Sequence, residues 1–120
     1  MENFENNGIR ISDEVIADIA IKAALDVKGV VGVRQRIFDS AKNLVSGKVS
    51  TVKGVTLAPT DLGLDITVQI AVRFGLKIQD ICAVVQREVA DSITDMTGIT
   101  VHNVNVSVVG IVVPRKRADR

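Results

Sequence analysis

Eleven consecutive residues, "LDITVQIAVRF", alternate without a break. Leu64, Ile66, Val68, Ile70, Val72 and Phe74 are apolar, and Asp65, Thr67, Gln69, Ala71 and Arg73 stand between them. A period of two held over that length describes a β-strand with one dry face and one wetter face, and fits no helix. Such a strand needs neighbours along its edges and a cover over its dry face.

Two stretches have the helical period that could supply the cover. Ser12 is a good N-cap, with Asp13 and Glu14 placed where the positive end of a helix favours acids. Val15, Ile16, Ile19, Ala20, Ala23, Ala24 and Val27 then recur at helical spacing, and Gly29 reads as the left-handed stop. The second helix spans about Ile78 to Met96, with Ile78, Ile81, Val85, Val89, Ile93 and Met96 as its buried stripe, and closes on Gly98.

Further strands read from "GIRI", "VVGVR" and "VKGVTL", the last leading through a turn-rich "APTDLG" into the alternating strand. In the final strand Val104, Val106 and Val108 alternate with Asn105 and Ser107, and the phase slips at Val109, as at a bulge. Residues 35–48 read as a variable insertion with helical spacing at Ile37, Phe38, Ala41, Leu44 and Val45. The expected architecture is α+β: a two-layer sandwich with two long amphipathic helices packed on one face of a mostly antiparallel sheet of about four to five strands. One domain over 9–113 is expected between a flexible 1–8 and a basic, flexible 114–120. The wet sheet face, lined by Asp65, Thr67, Gln69, Arg73, Asn105 and Ser107, has no cover in this arrangement and is open to a partner.

Composition narrows the chemistry. A hydrophobic share of 47 % with three Phe and no Tyr or Trp calls for an aliphatic core and leaves few platforms for stacking bases. Net charge is +1, so no global field advertises a polyanion. The charge is uneven, however: after Pro114, Arg115, Lys116, Arg117 and Arg120 stand against Asp119. Cys82 is the single cysteine, which excludes an internal disulfide and fits a reducing cytosol. "MENFENNG" is polar and acidic, unlike a signal peptide, and no apolar run approaches the roughly 18 residues of a membrane span.

Catalytic sets are missing. His102 is the only histidine, which rules out paired-histidine metal sites, and it reads as a solvated strand residue. Cys82 sits on the flank of a buried stripe, where cysteine usually acts as a small hydrophobe. Asp91 with Asp95 and Glu14 with Asp18 share helix faces at i,i+4, the usual place of solvated carboxylates. No phosphate-cradling glycine signature is present. "KGVVGVRQR" has the Gly-x-x-Gly spacing of an RNA-clamping loop, but its middle pair is Val30–Val31, a strand pair and a poor phosphate ligand. These features argue for a non-enzymatic chain with no cofactor, no metal and no small-molecule substrate, and against nucleic acid.

Taken in order, "IRISDEVIADIAIKAALDVKGVVGV", "KGVTL" and "LDITVQIAVRFGLKIQDICAVVQREVADSITDMTGITVHNVNVSVVGI" resemble the bacterial alkaline-shock-protein family, the envelope stress response proteins of mainly Gram-positive bacteria. The match covers about residues 9 to 111. It departs at 35–48, where the family's Gly- and Leu-rich wording is missing, and at Phe74, where Tyr is frequent. The resemblance implies a cytoplasmic, non-catalytic protein of envelope homeostasis and of general or alkaline stress, membrane-proximal through a partner. That partner would be a membrane-anchored protein of the same family or a second copy, so membrane contact would be indirect. Regulation of an enzyme of lipid-precursor synthesis is the alternative, and RNA binding a third reading. Arg34, Arg36, Lys42, Lys48, Arg115, Lys116 and Arg117 are the candidate interaction residues.

Overall fold

A computed structural model describes residues 4–6, 8–33 and 49–113. The expected insertion at 35–48 and the basic tail at 114–120 lie outside the described residues. Strand β1 (Phe4–Asn6) pairs antiparallel with β2 (Ile9–Ile11) as a separate hairpin, so "GIRI" does not join the main sheet. Helix α1 (Asp13–Leu25) follows, then β3 (Val30–Val33), β4 (Ser50–Val52), β5 (Val55–Thr60), β6 (Gly63–Arg73), helix α2 (Ile78–Thr97) and β7 (Val101–Val112).

The alternating segment becomes β6, the spine of a five-stranded sheet. One edge pairs along its whole length with β7, in parallel. The other edge is shared: β5 takes the first half, Thr56 opposite Thr67 and Thr60 opposite Gly63, and β3 takes the second, Val30 opposite Val72 and Val33 opposite Ile70. Strand β4 extends the sheet beyond β5. The dry face appears as read from Leu64 to Val72, with Leu64, Ile66, Val68, Ile70 and Val72 all buried, but Phe74, the last apolar residue of the alternation, lies past the end of β6 and is exposed.

The class is α+β with two helices and five strands in the main sheet, but the expected pair of long helices laid on one face requires correction. Helix α1 has thirteen residues and α2 twenty, and they divide the work. Helix α1 packs on α2 and on β3, β4 and β5, whereas α2 packs on α1 and β7. The physical reason lies in the width of their apolar faces. On α1, Ile16, Ala17, Ile19, Ala20, Ile21, Ala23 and Ala24 are buried, most of the circumference, so it is enclosed on several sides. On α2 only Ile81, Val85, Val89 and Ile93 are buried, a single row at i,i+4, with the expected stripe ends Ile78 and Met96 exposed. The sheet is also mixed, because a helix joins β6 to β7 and returns the chain in the same direction.

Helix α1 is capped by Ser12, whose Oγ accepts from Val15 N at 3.3 Å. Its last residue is capped by Asp26 in a right-handed conformation, three residues before the expected stop at Gly29. Gly29 serves the next junction. Its φ is +100°, and a Cβ there would lie 2.8 Å from Ile81 Cδ1 and 3.1 Å from Leu76 Cδ1. The glycine therefore lets the end of α1 close onto the start of α2.

The N-terminal end of α1 is tied to the β4–β5 hairpin. Buried Asp13 accepts from Ser50 Oγ at 2.7 Å. Lys53 and Gly54, with φ of 54° and 83°, form the two-residue turn of the hairpin, so "VKGVTL" is not one strand: its first residues close β4 and turn, and β5 runs from Val55 through "APT", which pairs with β6 instead of forming a connector. From that turn Lys53 Nζ reaches Asp18 at 2.9 Å and Glu14 at 3.5 Å on the acidic face of α1.

Two outcomes follow from these contacts. Gly29→Ala should destabilise the fold by about 2–3 kcal/mol, the combined cost of a strained φ and an overpacked contact; urea unfolding with an unchanged m-value measures it. The hydrogen bond to Asp18, supported by the charges of Asp18 and Glu14, raises the Lys53 pKa above the ordinary lysine value of 10.5. A group raised on folding contributes fully below its unfolded pKa and loses that contribution as pH climbs through the folded one. Lys53→Met should therefore be less stable than the parent at neutral pH, and the two midpoints should converge as pH climbs past the ordinary lysine value of 10.5.

Candidate interaction surface: the outer edge of β7

Strand β7 pairs with β6 on one side, and among the described residues no strand pairs with the other. The ladder contains two slips. Leu64 faces Val101 and Asp65 faces Asn103, which leaves His102 as an extra residue; Ile70 faces Val108 and Ala71 faces Gly110, which leaves Val109. The second bulge lies where the sequence phase breaks. Each extra residue reverses which backbone groups face β6. Thr100 O accepts from Leu64 N, and Val112 O accepts from Phe74 N, both at 2.9 Å, so these carbonyls face β6. Counting across the bulges, the backbone groups of Val104, Val106 and Val108 turn outward. Gln86 on α2 agrees with that count, since its Nε2 donates to Val104 O at 2.9 Å.

This open edge carries no Lys, Arg, Asp, Glu or Pro over its twelve residues. Soluble sheets usually protect an edge by making it short or by placing charge or proline on it. The other open edges fit the first device: β4 has three residues and β3 has four. Among the described residues the protection on β7 is limited to the two flanking bulges and the one Gln86 side chain, leaving a regular stretch from Asn103 to Val108. Its side chains are the buried or half-buried Val104, Val106 and Val108 toward the helices and the exposed Asn103, Asn105 and Ser107 on the opposite face.

That opposite face is the wet face expected from the alternation. Asp65 lies beside Asn103, Thr67 beside Asn105 and Gln69 beside Ser107. Asp65 Oδ1 is 2.8 Å from His102 Nδ1, Asn105 donates to Thr67 Oγ1 at 3.4 Å, and the Thr51 and Thr56 hydroxyls are 3.3 Å apart. Arg73 ends the row, exposed, at the far end of β6. The face is small-residue, polar and largely bonded to itself.

Of the candidate residues named from sequence, Arg34, Arg36, Lys42, Lys48, Arg115, Lys116 and Arg117 all lie outside the described residues. The Gly-x-x-Gly spacing belongs to the junction between α1 and β3: Val30 is buried and Gly32 pairs with Ala71. Cys82 is half-buried on the first turns of α2, and burial pushes its thiol pKa up, away from the nucleophilic thiolate. His102 lies beyond the other end of α2. Fifteen helical residues separate Cys82 from Thr97, roughly 22 Å at 1.5 Å per residue, so the lone cysteine and lone histidine do not meet. No group of three or more metal-ligating side chains occurs among the described residues. No helix among them is long and apolar enough to cross a membrane. What sequence reading missed is the outward edge itself; the only available signal was twelve residues without charge or proline.

Residues 1–113 match the profile of the alkaline shock protein 23 family, described as having a cell envelope-related function. The chain is 33 % identical over 111 residues to Spy1614 of Streptococcus pyogenes, covering 91 % of each. It is 35 % identical over 103 residues to YqhY of Bacillus subtilis, covering 86 % of this chain and 76 % of that one. YloU of the same organism is 33 % identical over 105 residues, with 86 % and 87 % covered. Among solved structures, two variants of the MamM CTD share the fold at 18 % identity. Their TM-scores are 0.54 and 0.55, covering 81 % and 89 % of this chain and 92 % and 87 % of theirs.

Proposed function

Because the chain belongs to the alkaline shock protein 23 family, whose function is cell envelope-related, we propose that it is a non-catalytic interaction module which docks through the outer edge of β7. The observation that carries this reading is the uncharged, proline-free edge, with its backbone groups at Val104, Val106 and Val108 turned outward. Addition of a strand would satisfy those groups and extend the sheet. The occupant is a second copy of β7, or the same strand in a membrane-anchored relative, laid antiparallel about Val106. In that arrangement Asn105 and Ser107 meet their counterparts without any charge. Such a module works on the cytoplasmic side of the envelope, in general or alkaline stress, by assembling with its relatives rather than by turning over a substrate. The raised Cys82 pKa and its separation from His102 support the non-catalytic part of the reading.

Light scattering on the full chain across a concentration series tests the edge. Asn105→Lys with Ser107→Lys places like charges across the paired strands and should weaken association at least tenfold, roughly 1.4 kcal/mol, with little change in thermal midpoint because both side chains are exposed. Gln86→Ala releases Val104 O and should strengthen association. A chain that stays monomeric and captures no envelope protein, or whose association ignores all three substitutions, would remove the proposal.

A further inference from the structure

At the end of the sheet where β6 stops and α2 begins, large apolar side chains stand in solvent. Phe74 is 61 % exposed, Ile111 51 % and Val113 66 %, and Val31, Leu76 and Ile78 are exposed with them. Backbone contacts gather them at one end. Phe74 N donates to Val112 O, Arg73 N donates to Gly29 O, and Leu76 Cδ1 lies against Gly29. A cluster of this kind on a soluble fold marks a contact surface.

The charge around it has one dominant sign. Lys28, Arg73 and Lys77 are exposed on three separate segments that meet at this end. The acids in those segments are Asp26, which is engaged by Lys22 at 3.0 Å, and Asp80 in the first turn of α2. Lys77 is also the N-cap of α2 and makes no side-chain capping bond, so the positive end of the helix macrodipole adds to the same sign. The chain as a whole is only +1, so this positive field is local.

We propose that this end of the fold is a direct contact site for an anionic lipid surface. Phe74, Leu76, Ile111 and Val113 enter the interfacial layer, while Lys28, Arg73 and Lys77 meet the lipid phosphates. Two weak signals, apolar insertion and a cationic collar, together suffice for reversible binding where either alone does not. A second copy fits this end poorly, since a two-fold contact through it would set the two cationic collars against each other. The site lies past the Asn103–Val108 stretch of β7 and does not depend on the proposed docking there; it makes membrane contact direct where the sequence implied contact only through a partner.

Flotation of the full chain with vesicles is the test. It should float with phosphatidylcholine vesicles containing about a third phosphatidylglycerol, stay behind with phosphatidylcholine alone, and be released by salt. Arg73→Glu with Lys77→Glu should lower binding at least tenfold, since each cation near such a surface is worth about fivefold. Phe74→Ser should lower it severalfold. Circular dichroism and urea midpoints should match the parent, because all three side chains are exposed, and Asn105→Lys with Ser107→Lys should leave vesicle binding intact. Failure to float with the anionic vesicles at low salt would overturn the proposal, as would equal binding by the charge-reversed variant. Loss of self-association in Phe74→Ser, without vesicle binding by the parent, would assign the patch to a second copy instead.

Discussion

Strand β6 is hydrogen-bonded on both edges, to β7 along its full length and to β5 and β3 in succession on the other side. A central strand of this kind leaves few backbone groups for solvent, and burying them is tolerable only because each finds a partner. Its five buried aliphatic side chains then define the floor on which the core is built. Strands β3, β5 and β7 take their positions from their register on β6 and β4 takes its position from β5, and the helices lie where those registers leave apolar surface to cover.

The division between the helices is a consequence. Where β3, β5 and β4 extend the sheet on one side, α1 covers them and is itself flanked by α2, so it needs apolar residues around most of its surface. Its alanines at 17, 20, 23 and 24 suit that role because they allow close approach without bulk. Helix α2 packs mainly on α1 and β7 and needs one row, leaving most of its surface to side chains such as Asp80, Arg87, Asp91 and Asp95. Gly29 joins the two systems at the end where α1 stops. The apolar end patch also follows from this arrangement: α2 starts just past the end of β6, and the side chains there have nothing of the described chain above them.

The dry and wet faces of β6, the bulge at Val109 and the capping of α1 by Ser12 were legible because each depends on residues close in sequence. The "APT" strand was not, since a proline and a threonine flanked by turn residues read locally as a connector. Pairing with β6 at Asp65, Leu64 and Gly63 decides otherwise. The equal treatment of the two helices failed for a related reason. Periodicity counts apolar positions, but among the described residues Val15, Ile78 and Met96 have no neighbour that buries them, while Ala17 and Ile21 do. The interaction surface was legible only in part: the polar face could be listed from its alternation, whereas the open edge depends on where β7 sits in the sheet.

By itself the sequence determined the class of fold, the identity of the central strand, an aliphatic core and a single histidine and cysteine, because alternation, helical spacing and residue inventory are local or additive properties. Tertiary structure alone decided that β7 runs parallel to β6 at the sheet's edge, that two bulges turn Val104, Val106 and Val108 outward, and that residues as distant as Val31, Phe74 and Ile111 share one exposed end. Those features arise from register and chain crossing, which join segments 37 to 42 residues apart, and no local pattern encodes which edge of a strand is left without a neighbour.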